Sequence, residues 1–205
     1  THYGGTGEDT WAWALCDAPL VVYSLAQLGL KDHLEITRAL EFLINLERAN
    51  GWPCVVSKEM GQFRGPGRKD DPCPYATLLM LKCLALTDEG RNSRAAQNGV
   101  EILLKLWETS QESHPYLFRM GTDFRKLKAP LVWYDLLHVL DVLSRFPWVL
   151  KDLRARHMLN LLVSQADDLG RFTPGSIWLY WKDWDFGQKK TPSAWLTYLA
   201  IKALR

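Results

Sequence analysis

Asp135 and His138 stand three positions apart in the apolar segment PLVWYDLLHVLDVLSRF. On a helix that spacing puts both side chains on one face. A carboxylate buried beside an imidazole has a perturbed pKa and can act as a general acid or base. The plainer role for the pair is a structural hydrogen bond. Asp9 in GEDTWAW and Asp185 in WKDWDF also lie among aromatics. Facing each other across a cavity, they would supply the paired carboxylates that hydrolyse a glycosidic bond.

Three basic clusters each precede an apolar segment: Arg68 with Lys69, Arg125 with Lys128, and Lys189 with Lys190. At the starts of parallel helices they would share one rim and, with the helix dipoles, attract an anion. Trp133, Trp181, Trp195 and Tyr198 lie within or beside these segments. Aromatic walls suit an apolar chain or a carbocation, although core packing is their commoner use. An apolar chain with an anionic head would use both the rim and the walls.

The elements that must position these residues are marked by Pro19, Pro74, Pro130 and Pro192, spaced 55, 56 and 62 residues apart. Each opens a largely apolar segment, and proline is favoured in the first turn of a helix, so inner helices are predicted to start near these positions. Amphipathic segments lie between them. They carry Ile36, Leu40, Leu43 and Ile44, then Ala96, Val100, Leu103 and Trp107, then Ala155, Met158, Leu159 and Leu162. Such offsets give one apolar face each. A helix apolar nearly all round is buried on both sides, whereas a one-faced helix borders solvent. The expected fold is all-α: residues 1–205 form one α/α toroid domain of about four helical hairpins in inner and outer layers.

The hairpin period, the loop words NGWPC, MGQFRG and DLGRF, and the small residues at inner helix starts resemble the terpenoid cyclase and protein prenyltransferase superfamily. The resemblance implies a squalene-cyclase-like ring that binds an apolar or isoprenoid ligand in a central cavity. Four inner and three outer helices would leave that ring open, to be closed by a segment upstream of Thr1 or by a partner chain such as a second copy. The stretch GQFRGPGRKDDPCPY resembles the prenyltransferase β-subunit. There the resemblance implies a diphosphate against Arg68 and Lys69, and zinc on Asp71 and Cys73. The family's third ligand, a His near a later inner helix start, is missing, because aligning the prolines places Val132 there and His138 lies two turns further in. No metal or other cofactor is therefore expected. Nor is the Asp-x-Asp-Asp motif of protonating cyclases present.

Composition excludes more than it assigns. Twenty-five Lys and Arg against 23 Asp and Glu give a net charge of +2, which provides no general pull on nucleic acid. No apolar run reaches the length of a membrane span. Cys16, Cys54, Cys73 and Cys83 have no CxxC spacing and read as reduced thiols, so a cytoplasmic location is expected. Two other functions remain open: a carbohydrate-active enzyme using paired carboxylates, and a non-catalytic repeat scaffold for protein contact.

Overall fold

The computed structural model describes residues 11–61, 72–115 and 118–205. Asp9, Arg68, Lys69 and Asp71 lie outside them. The described chain is all-helical, with isolated bridges but no strands. Its α-helices are α1 (Ala18–Leu25), α2 (Leu34–Ile44), α3 (Pro74–Leu84), α4 (Asp88–Asn92), α5 (Arg94–Thr109), α6 (Thr122–Arg125), α7 (Leu136–Leu143), α8 (Leu153–Val163) and α9 (Ala194–Ala203). No described helix is long and apolar enough to cross a membrane.

The chain forms two compact units: residues 1–103 with 115–117, and residues 104–114 with 118–205. In the first, α1 and α2 pack together and α3 packs on both. In the second, α7 packs against α8 and α9. The helices differ in how much of their surface they bury. Every residue of α3 except Tyr75 is buried, and so is every residue of α7. By contrast α8 buries one face through Ala155, Met158 and Leu162. Ala96, Val100, Leu103 and Trp107 of α5 are buried as their spacing predicts. At about 1.5–3 kcal/mol for each fully buried large apolar side chain, these faces supply most of the driving force for packing.

Two of the four proline-marked helices are buried on one side only. α1 buries only Pro19 and Val22, and α9 buries Leu196, Leu199, Ala200 and Ala203 while Trp195, Tyr198 and Ile201 stay exposed. The starts also shift: α1 and α3 begin at Ala18 and Pro74, but α7 begins at Leu136 and α9 at Ala194. The side chains of Cys73, Asp135 and Ser193 accept the N–H of the residue three further on, at 3.4, 2.9 and 3.0 Å. These caps, rather than the prolines alone, set where the helices begin.

One device recurs in both units. Gly51 takes a φ of +96° that a side chain would strain, and its missing Cβ leaves room for Thr77 Oγ1. The next residue, Trp52, is fully buried. It donates its backbone N–H to Thr77 Oγ1 at 3.2 Å and accepts the Cys73 N–H at 2.9 Å. In the second unit Phe172 follows Gly170, donates to Thr197 Oγ1 at 2.9 Å and accepts the Ser193 N–H at 2.9 Å. A loop aromatic is thus tied to the first turn of the next helix in each, and the helical repeat is written in hydrogen bonds.

Candidate functional site

The second unit gathers most of the sequence-predicted site residues, in two groups. The first surrounds the start of α7. Asp135 is fully buried, and its Oδ1 accepts the His138 backbone N–H at 2.9 Å. Its Oδ2 is buried without a hydrogen-bond partner. Burial pushes the carboxyl up to about 7, against the stabilising His138 N–H and the nearby Lys128 ammonium. The imidazole turns elsewhere: His138 Nδ1–H donates to the Trp133 carbonyl at 2.7 Å. A carbonyl can only accept, which fixes the proton on that nitrogen. Asp135 and His138 therefore meet through the helix cap, not ring to carboxylate.

Lys128 joins this group from the preceding segment. Its Nζ lies 5.7 Å from the Trp133 ring centroid and 3.6 Å from Asp123 Oδ2. The returning loop completes the wall: the Gly175 and Ser176 N–H groups donate to the Leu127 carbonyl at 2.8 and 3.3 Å. A side chain at Gly175 would press on Lys126. Trp178 then meets Trp133 edge to face, centroids 5.4 Å apart. Lys128, Trp133, Ser176, Ile177 and Trp178 line a crevice of about 130 Å³. Arg125, over the Trp107 ring at 5.5 Å, borders a separate polar cleft of about 540 Å³ with Arg119, Gln111 and Asp123.

The second group lies along the exposed side of α9. Trp195 and Tyr198 stack there, centroids 5.4 Å apart. Tyr198, Pro192, Ala194 and Ile201 line a groove of about 940 Å³, together with Arg171, Lys202 and Arg205. Lys189 and Lys190 are exposed in the turn just before Thr191, which also lines it. Gln188 ties this turn by accepting the Lys190 and Thr191 N–H groups at 2.6 and 2.9 Å. Asp185 serves the same turn, since its Oδ2 accepts Ser193 Oγ–H at 2.8 Å and the Trp195 N–H at 3.0 Å. Slight burial raises its carboxyl, but the Trp195 N–H and Ser193 hydroxyl outweigh that and hold it below the usual range. Trp181 packs on Trp184 and Phe186, at 5.9 and 6.1 Å.

The basic clusters of the second unit thus border three separate depressions. Arg171, Lys202 and Arg205 were not singled out by the sequence. Lys202 follows Tyr198 by one turn of α9, a spacing that places them on one face. Arg171 is brought there by Phe172, whose carbonyl accepts the Ser193 N–H.

In the first unit three thiols converge. Cys54 hydrogen-bonds to Cys73 and, in addition to burial, also raises Cys16; contact with Cys54 and burial push the Cys73 thiol well up. Among the described residues no group of three or more His, Cys, Asp or Glu is arranged to hold a metal ion. Asp71, the zinc ligand implied beside Cys73, is outside them.

Fold and sites together define an all-α protein of repeated helical hairpins. No family model, curated protein or solved structure matches the chain.

Proposed function

We propose that the chain is a ligand-binding protein of the α/α toroid type, similar to the prenyltransferase and terpene cyclase rings, and that the α9 groove takes an apolar chain with an anionic end, of the isoprenoid diphosphate class. The groove itself carries this reading. Its described lining holds three cations, Arg205 together with Arg171 and Lys202, which are also paired to Asp167 and Asp141 outside the lining, around the apolar surfaces of Pro192, Ala194, Tyr198 and Ile201. Its volume of about 940 Å³ lies in the range of small-molecule sites. The recurring Trp52–Thr77 and Phe172–Thr197 devices support the repeat architecture on which the toroid reading rests. The reading is one of binding, because neither a protonating motif nor a complete zinc set stands in the sequence.

The test is calorimetric titration of the full chain with isoprenoid diphosphates of increasing length. Saturable binding that tightens with length is expected, and lack of binding by every member of the series overturns the reading.

The exposure of Trp195, Tyr198 and Ile201 on α9, and of Leu204 just after it, favours a second reading, a scaffold whose apolar face is covered by protein. Under it, sedimentation equilibrium would show concentration-dependent association that Tyr198→Glu abolishes, with no diphosphate binding.

A further inference from the structure

The small crevice at the start of α7 is a different kind of site. It combines an ammonium, two indoles and a hydroxyl-bearing loop, and the fully buried Asp135 with its unpartnered Oδ2 lies on the residue next but one to its Trp133 wall. At about 130 Å³ it is too small for the extended ligand proposed for α9 and too small for a drug-sized one. We propose that this crevice binds a small flat anion, an aromatic carboxylate of benzoate size, on Lys128 and against the Trp133 and Trp178 indoles that line it, and that binding is coupled to proton uptake by Asp135.

Lys128 is suited to the role because its side chain is only 13% exposed, whereas its partner Asp123 is 77% exposed. An incoming carboxylate can replace Asp123 at the ammonium while Asp123 turns to solvent. The Lys126 ammonium, 3.3 Å from Asp123 Oδ1, would remain its partner. The ring of the ligand would exchange water for the indole surfaces of Trp133 and Trp178.

The coupling follows from where the new charge goes. Lys128 favours the ionised form of Asp135, and Asp123 opposes it. A carboxylate held on Lys128 cancels that help and adds a second negative charge near a buried carboxyl, so the neutral form gains. The other titratable neighbour is His138 on α7, whose Nδ1 is engaged by the Trp133 carbonyl. Of the helices packed on α7, α9 brings Lys202, which is occupied further along at Asp141, 3.1 Å away. From α8, Arg154 is held by Asp152 at 2.8 Å. Because Asp135 protonates near 7, proton uptake and tighter binding belong on the acid side of neutrality.

The probe is sodium benzoate, which stays ionised throughout, titrated calorimetrically into the full chain at pH 6 and pH 8 in buffers of different ionisation enthalpy. Binding is expected to be about fivefold tighter at pH 6, with proton uptake that the two buffers reveal. Asp135→Asn retains the helix cap and should bind with equal affinity at both pH values and without proton uptake. Lys128→Gln should lose binding at both. Asp123→Asn, which frees Lys128, should bind more tightly than wild type. Far-UV circular dichroism checks that each variant is folded. No benzoate binding by the wild type, or an unchanged pH dependence in folded Asp135→Asn, overturns the proposal. The α9 groove is not involved, so Tyr198→Ala should leave benzoate binding unchanged.

Discussion

The backbone N–H of Trp52 donates to Thr77 Oγ1 across 25 residues of chain, and Phe172 donates to Thr197 Oγ1 across the same interval. The first bond is buried and the second part-buried. A buried N–H left without its acceptor costs about 1–3 kcal/mol. Thr77→Val, nearly the same shape, should therefore lower the urea midpoint by a stability loss of that size. Thr197→Val should cost less, because water can reach its donor. Equal stability of Thr77→Val and wild type would show that the bond does not hold the hairpin.

How far the sequence predicts this molecule depends on how local each feature is. The faces of α5 and α8 follow from 3.6-residue spacing, and Val100, Leu103, Met158 and Leu162 are buried as expected. Pro130 points to an earlier start for α7 than Leu136 because it is a strong signal in itself, whereas the capping carboxylate of Asp135 acts only once His138 N–H is presented to it. Asp135 and His138 could be paired from their spacing. That the imidazole would choose the Trp133 carbonyl could not, since the segment before the cap has no period. The Lys128 crevice and the α9 groove are assembled by returning loops, through Gly175 on Leu127 and Phe172 on Ser193. Pairings at that sequence distance leave no local pattern.

Asp135 gives stability an unusual pH dependence. Its carboxyl is pushed up to about 7 by burial, against the His138 N–H and Lys128, whereas in the unfolded chain it titrates near about 3.9. Between those values the folded state holds a proton that the unfolded state has released. Stability from this group is therefore full in acid, falls as pH rises through the window and levels off above about 7. Asp135→Asn should flatten urea midpoints measured from pH 5 to pH 8. Asp141 acts in a different range: burial raises it, but Arg145 and Lys202 outweigh that, so its contribution is lost only in stronger acid, below about pH 4. An unchanged slope in Asp135→Asn would assign the pH dependence to another group.

Asp185 is expected to matter for α9 rather than for proton transfer. Its Oδ2 takes both the Ser193 hydroxyl and the Trp195 N–H. Asp185→Ala should cost about 1 kcal/mol, the size of a lost cap, and Ser193→Ala a similar amount. Because the two residues share one network, the double variant should lose less than the sum. Thermal unfolding of the four proteins tests this, and strict additivity would show that the residues act independently.

The ligand proposed for α9 should reveal its head and tail separately. Contacts from Arg171 and Arg205, and the field of Lys189 and Lys190, act at a partly open groove, so they should weaken as salt shortens the screening length to about 8 Å and below. Tail burial against Pro192, Ala194, Tyr198 and Ile201 is worth about 25 cal/mol per Å² of apolar surface and should be insensitive to salt. Lengthening the isoprenoid should therefore tighten binding by a similar factor at low and at high salt. Replacing Lys189 and Lys190 together by Ala should flatten the salt dependence and leave the length effect intact. Tyr198→Ala should do the reverse, eroding the gain from each added unit, and Trp195→Ala should follow it in part because the Trp195 ring stacks on Tyr198. The measurement is calorimetric titration of the wild type and the three variants at two salt concentrations. Binding that depends on salt but not on chain length would leave a cationic surface without a tail site, and the isoprenoid assignment would fall.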